Sequence, residues 1–349
     1  MIITNGTFLP FWGNCRWRSG IGVVRATTGP IARAMIRQHS HGVFSEVGGT
    51  VQIAERYQLL QPITRGGMGQ LWEGSDIRLN RRVVVKRIRR DRLSEDTVRR
   101  FRREARIMAL LRHPGVATVY DFGEDAEGLF LVMEYVDGLS VAHVLDAHRP
   151  LPVSWAAAIG AQLCAVLAVT HAQQLIHRDL KPGNLMLCPD GSVVVLDFGL
   201  STVLNSPDFS KITHSMDRLG TDRYMAPETV TDGVADALTD LYAVGCLLYE
   251  MTIGRRVFEA ATIAVEVNGH LYDEPVSPAD IDAAVPDALD HLILELLEKD
   301  PAKRPQTAED VFHRLLPFAR RLPPLPGVID HAVAPTHLYA AALARTRGL

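Results

Sequence analysis

Apolar and polar positions follow different periods in the two halves of the chain. Between residues 57 and 80, short alternating runs broken by Gly66-Gly67 and Asn80 predict a β-hairpin. Val83-Val84-Val85-Lys86 then reads as a buried strand. The period lengthens next: Phe101, Ala105 and Met108 recur at helical spacing, Ser94 offers an N-cap, Glu95 and Asp96 suit the first turn, and His113-Pro114-Gly115 ends the helix. Residues 129–135 predict a further strand, with Asp137-Gly138 as a linker. Beyond it the pattern is mainly helical, with one strand pair at 185–187 and 193–196, and the near-apolar run 155–169 reads as a buried helix. These elements predict an α+β chain, a small β-rich lobe with one main helix followed by a larger, mostly helical lobe. The boundaries expected are a poorly ordered extension over 1–52, the first lobe over 53–136, the second over 137–318, and a tail over 319–349 that opens on the Pro-rich segment Leu322-Pro323-Pro324-Leu325-Pro326.

Composition narrows the function classes. The 349 residues suffice for two lobes, and a formal charge of −3 supplies no global pull toward nucleic acid or an anionic membrane. The arginine-rich run over 87–112 is interleaved with acids and lies across the predicted helix, the pattern of a solvated helix face rather than a nucleic-acid surface. Cys15, Cys164, Cys188 and Cys246 are widely spaced and form no CxxC pair, against a disulfide framework or a zinc site and in keeping with a reducing compartment. The pattern shows no unbroken apolar run of the ~20 residues that a membrane span requires and no signal peptide, so a cytoplasmic protein is expected.

The strand pair of the second half carries the first chemical signal. Pro189-Asp190-Gly191-Ser192 is a turn between two apolar runs, so the strands form a hairpin. Asn184 enters it and Asp197 leaves it, nearly equidistant from the turn, so antiparallel pairing brings them together at the open end. An amide oxygen and a carboxylate are hard ligands suited to Mg²⁺ with a phosphate; a turn-stabilising Asn beside a strand-end Asp is the plainer alternative.

Immediately upstream stands His177-Arg178-Asp179-Leu180-Lys181-Pro182-Gly183-Asn184. This octapeptide resembles the catalytic loop of eukaryotic-type protein kinases, and Asp197-Phe198-Gly199 resembles their metal-binding triplet. The other signatures follow in the family's order. Val83-Val84-Val85-Lys86 is similar to its lysine strand, and Glu104 in Phe-Arg-Arg-Glu-Ala to the helix residue that partners the lysine. Ala226-Pro227-Glu228 resembles the end of the activation segment, Asp240 and Gly245 its central helix, and Arg304 the arginine that pairs with the segment's glutamate. The Gly67-Met68 pair and the Phe-Arg-Arg-Glu-Ala form are most similar to bacterial Hanks-type serine/threonine kinases.

The resemblance implies a two-lobed protein-kinase-like fold, ATP and Mg²⁺ as cofactors, and a serine/threonine protein kinase acting on protein substrates in bacterial signalling. Lys86 would hold the α- and β-phosphates with Glu104 orienting it, Asn184 and Asp197 would hold the metal, Asp179 would accept the hydroxyl proton, and Lys181 would steady the γ-phosphoryl group. The chain is biased toward arginine, with lysine only at 86, 181, 211, 299 and 303, yet both phosphate positions carry the compact ammonium. The Gly-rich loop matches at Gly66 and Gly69, whereas Thr64 stands where the family's first glycine falls, which predicts weaker nucleotide affinity. Met133, Glu134 and Val136 resemble gatekeeper and hinge, with Leu71, Val84 and Met186 sandwiching adenine.

Lys181 two places after Asp179, together with Gly220-Thr221 before Ala226-Pro227-Glu228, resembles the serine/threonine class. Thr221 would dock the substrate hydroxyl segment or, alternatively, be a phosphosite. Arg178 before the catalytic aspartate suits a phosphate on the activation segment, with Ser210, Thr213 and Ser215 as candidates and Thr213 and Ser215 the best placed. Such modification would come from the chain itself, in a homodimer. The competing readings are a nucleotide-binding pseudokinase, whose foothold is Thr64, and a small-molecule phosphotransferase, which would lack the Ala226-Pro227-Glu228 segment.

Overall fold

The computed structural model describes residues 51–66, 69–90, 95–198, 222–233 and 235–333. Its first lobe is an antiparallel sheet of β1 (Gln52–Ile53), β2 (Tyr57–Gly66), β3 (Gly69–Asp76), β4 (Arg81–Arg89), β5 (Val119–Asp125) and β6 (Gly128–Glu134), in the order β1-β2-β3-β4-β6-β5. Strand β4 alternates, with Val83 and Val85 fully buried and Val84 and Lys86 partly so, which sends the lysine to the opposite face from the two valines. One sheet face packs Tyr57, Leu59, Val83, Val85, Phe130 and Val132 into a small core. The other receives α1 (Glu95–Leu110), whose Phe101, Ala105 and Met108 are buried at the predicted spacing. Strand β6 is buried along nearly its whole length, which explains its continuous apolar run. The predicted N-cap Ser94 lies outside the described residues.

Arginines of the 87–112 run are held by acids. Arg87 lies 2.7 Å from both Asp125 and Glu127, and Arg102 3.1 Å from Glu124.

The second lobe contains β7 (Leu139–Ser140), α2 (Val141–Ala147), α3 (Val153–Ala172), β8 (Leu185–Leu187), β9 (Val193–Val195), α4 (Pro227–Asp232), α5 (Ala237–Ile253), α6 (Ile263–Tyr272), α7 (Pro278–Ile281), α8 (Asp287–Leu296) and α9 (Ala308–Leu315). Helix α3 extends beyond the expected 155–169 run and, among the described residues, is the one helix long and apolar enough to cross a bilayer. It is instead the axis of this lobe, packed between α5 and α9 and almost wholly buried. Gly160 marks the closest approach: a Cβ there would stand 2.7 Å from Leu248 and 3.2 Å from Leu315.

Two connections fix the site between the lobes. Strands β7, β8 and β9 form a small sheet, with Leu185 opposite Val195 and Leu187 opposite Val193. Strand β9 also bonds the segment that follows α1, through Val195 N to Gly115 O at 2.8 Å and Ala117 N to Val195 O at 3.2 Å. The chain leaving α1 is thereby stitched to the hairpin of the second lobe.

Candidate active site

The hairpin brings Asn184 and Asp197 together as its turn predicts: past the last strand pair, Leu196 donates its N–H to Asn184 O at 2.9 Å. Asp197 sits in the left-handed region at φ 59°, which aspartate tolerates better than most residues and which ends the strand. Its carboxylate reaches across the lobes to Lys86, with Nζ to Oδ2 at 3.0 Å. Burial pushes the Asp197 carboxyl up, but the Lys86 ammonium opposes this, aided by its hydrogen bond and by the charge of Lys181. The carboxyl is held below the usual value, hence ionised at neutral pH.

Asp179 lies on the loop before β8. Its carboxylate accepts from Lys181 Nζ at 3.1 and 2.9 Å and from Asn184 Nδ2 at 3.1 Å, and its carbonyl accepts a second Asn184 bond at 2.7 Å. Donating through nitrogen leaves the Asn184 amide oxygen, its harder ligand atom, for a cation. The Asn184 and Asp197 pair therefore fits Mg²⁺, which takes one or two protein oxygens and fills its remaining positions with water and phosphate.

The loop is fixed from behind by His177 and by Asp240, which the motifs include without a structural part, and by His171, which they do not. His177 is buried, donates from Nε2 to Leu196 O at 2.8 Å, and accepts the Asp179 N–H at Nδ1, 3.2 Å, an arrangement that selects the Nε2–H tautomer. Asp240, near the start of α5 and buried, accepts the backbone N–H groups of His177 and Arg178, each at 2.9 Å, and His171 Nε2 at 2.9 Å. The sequence signal available was an acid in the first turn of an otherwise apolar helix, where burial demands partners.

Elsewhere the predicted residues divide. Leu71 faces Lys86 across β3 and β4, and Val84 faces Met133 across β4 and β6. Met186 is the middle residue of β8, opposite Val194 and Ser140. Glu134 donates its N–H to Thr118 O at 2.9 Å and accepts the Thr118 N–H at 3.1 Å, and Val136 follows in the partly buried link between lobes. Thr64 pairs with Leu71 at an exposed strand position, and Gly66 pairs with Gly69 at the end of the same hairpin. Thr213, Ser215, Ser210 and Thr221, like Gly67, Met68, Gly199 and Gly220, lie outside the described residues. The Arg304 pair is formed: its guanidinium, buried, grips Glu228 through two bonds of 2.7 and 2.8 Å.

The expected Lys86–Glu104 ion pair is not formed in this structure. The ammonium is engaged by Asp197, and Glu104 is half-buried on α1, where burial pushes its carboxyl above the usual value despite the charges of Arg178 and Arg103.

Comparison with known proteins agrees with this arrangement. Residues 57–316 match the family described as the protein kinase domain. The chain is 36% identical over 261 residues to the serine/threonine-protein kinase PrkC of Bacillus subtilis, covering 74% of this chain and 40% of that protein. It is 34% identical over 286 residues to the serine/threonine-protein kinase PknB of Mycobacterium leprae, covering 80% of this chain and 46% of that one. It is 38% identical over 266 residues to the serine/threonine-protein kinase pkn3 of Myxococcus xanthus, covering 74% and 49% respectively. The chain thus spans less than half the length of these relatives. With the family's domain matched from the first sheet to α9, and the lysine, loop aspartate and hairpin pair converging in one cleft, the chain belongs to the protein kinase family.

Proposed function

We propose that this chain is a serine/threonine protein kinase that transfers the γ-phosphoryl group of Mg²⁺-bound ATP to hydroxyls of protein substrates, its own activation segment included. The observation that carries the reading is the bridging of the lobes by Lys86 and Asp197 at 3.0 Å, together with the cluster of Asp179, Lys181 and Asn184 at the start of the same hairpin. Bound Mg²⁺ would supply charge neutralisation at the transferring phosphate. Asn184 and Asp197 are the residues that would hold it. Phosphoryl transfer asks the protein for position and charge, and each residue's part follows.

Asp179 is placed to take the hydroxyl proton, and Lys181 beside it neutralises charge as the phosphoryl group moves. Lys86 would grip the α- and β-phosphates. Asp197 engaged by a metal would no longer hold the ammonium, which is then open to the phosphates and to Glu104. Leu71, Val84, Met133 and Met186 form the apolar walls for adenine, with the backbone of Glu134 and Val136 for its polar edge. Thr221 would dock the substrate, and Thr213 and Ser215 would be modified within a transient homodimer. The bacterial relatives bearing serine/threonine-kinase names support the hydroxyl class and a signalling role. A cytoplasmic location follows from the need for ATP. The test is transfer of labelled phosphate from ATP to the protein and to a generic basic protein, with Lys86→Met as control. Folded wild-type chain that neither binds nucleotide nor transfers phosphate would refute it.

A further inference from the structure

The match to the kinase family ends at Leu316, yet the chain from there to Val333 is packed against the second lobe. Ala319, Leu322, Leu325 and Ile329 are buried. The segment folds back on itself, with Leu325 and Ile329 exchanging two N–H to O bonds of 2.8 Å, a turn at Gly327 (φ 77°), and Leu322 bridged to Val333. A Pro-rich segment has few N–H groups and offers mainly carbonyls, so a surface that recognises one must supply donors. Two donors are supplied here. Trp155 Nε1, near the start of α3, donates to Pro323 O at 2.6 Å, and His148 Nε2, just past α2, meets Pro326 O at 2.9 Å.

Trp155 is fully buried and its indole has a single donor, so Pro323 O is the acceptor that keeps this N–H from being stranded. The far end of the segment touches the hairpin that carries the candidate metal ligands. A Cβ on Gly191, in the β8–β9 turn, would stand 3.0 Å from the Val333 side chain and 3.4 Å from the Trp155 ring. Gln162 of α3 clamps the same turn, donating to Gly191 O at 3.1 Å and accepting from Val193 N at 3.0 Å.

We propose that the groove between Trp155, His148 and the β8–β9 turn is a docking groove for a Pro-rich peptide, occupied in cis by residues 322–333, and that this docking braces the hairpin whose open end presents Asn184 and Asp197. The segment is thus a positioning element for the metal ligands, an inference that rests on the kinase reading for its effect on Mg²⁺ but not for its effect on hairpin rigidity. A hairpin of three-residue strands is too short to be stiff alone; its strands are held by β7 and by Gly115 and Ala117, whereas its turn is held by α3 and by the Pro-rich strap, residues 322–333. Loosening the turn loosens the ligand separation.

The test uses the full chain with Trp155→Phe, which keeps a ring and deletes the donor, combined with His148→Phe. Hydrogen exchange followed by mass spectrometry should accelerate about tenfold or more over 322–333 and over 185–195, with α5 as an unaffected internal reference. In the same variant the apparent Mg²⁺ constant for phosphate transfer should rise about threefold to tenfold, with kcat at saturating Mg²⁺ retained. His148→Gln, which retains a donor, should lie nearer to wild type. Faster exchange in the strap with an unchanged hairpin and unchanged Mg²⁺ dependence would reduce the segment to a mere cover and overturn the proposal, as would unchanged exchange in the strap. Should the double variant lose protection in α5 as well, Val333→Gly provides the second arm: it leaves Trp155 bonded, and unaltered exchange over 185–195 in it likewise overturns the bracing. Failure of the kinase reading would show separately, as wild-type chain that transfers no phosphate.

Discussion

Replacing Asp179 with Asn isolates proton acceptance from position. The two side chains are isosteric, and an amide oxygen turned toward Asn184 keeps the 3.1 Å bond now made to Oδ2. The other end of the amide is a donor facing the Lys181 ammonium, which now lies 3.1 and 2.9 Å from the two carboxylate oxygens, so one of those contacts is lost and the charge with it. The backbone supports of the loop, Asp179 N to His177 and Asn184 to Asp179 O, do not involve the substituted atoms. The geometry is therefore retained and the base removed, for which a fall in kcat of roughly 10²–10⁴ is expected. That corresponds to about 3–5 kcal/mol of transition-state stabilisation. Lys86 and Asp197 are untouched, so nucleotide affinity should stay within about twofold, placing the loss in kcat rather than in KM. Initial rates of labelled phosphate transfer across an ATP series, with fluorescent-nucleotide titration of the same samples, measure both quantities. A kcat close to wild type would show that Asp179 is not the acceptor, and a raised KM with retained kcat would assign it to binding.

Arg304→Leu should cost about 3–5 kcal/mol in urea unfolding, because it removes the guanidinium from the carbonyls of Leu238, Glu298 and Lys299 and leaves the Glu228 carboxylate only the Thr239 hydroxyl at 3.4 Å. The double replacement with Glu228→Gln should recover part of that loss, and a single-variant cost below about 1 kcal/mol would contradict the assigned network. His270, buried between Tyr242 and Arg223 O, has its pKa lowered to about 4 by burial and by Lys299, against 6.5 ordinarily. The unfolded chain then binds the proton first, so its contribution is complete above pH 6.5 and falls by about 3 kcal/mol on acidification toward pH 4. His270→Gln should flatten that slope in urea titrations over the same window, and an unaltered slope would assign the sensitivity elsewhere. Thr64→Gly should lower the ATP KM by about threefold, since glycine relieves crowding at the strand end, and an unchanged KM would show that the threonine is tolerated there.

Local patterns revealed much of this protein, and distance set the boundary of what they could reveal. The β2–β3 hairpin, the α1 stripe of Phe101, Ala105 and Met108, and the meeting of Asn184 with Asp197 depend on turns and periods within a few residues, and sequence carries those directly. Asp240 and His171, 69 positions apart, depend on how α3 and α5 pack, which no local period encodes. The partner of Lys86 shows the same limit from another side. Motif order pairs it with Glu104, but the choice between two carboxylates is decided by where α1 settles, a tertiary variable. The ends of α3 lie beyond the apolar run because Ser154, Thr170 and His171 flank it with polar side chains. Thr170 bonds its own helix and His171 pairs with buried Asp240, so neither ends the element.

The burial of α3 has a consequence for how the polypeptide is made. Its covering partners are encoded well after it, α5 at 237–253 and α9 at 308–315, and the acceptor for the Trp155 indole comes later still, at Pro323. While a ribosome delivers the intervening stretch, a mostly apolar helix of twenty residues stands uncovered, with the length and hydropathy that recruit membrane-targeting and holding factors. Transcripts cut short between the codons for Ala172 and Ala308 should therefore yield sticky, rapidly degraded fragments rather than a usable half-enzyme.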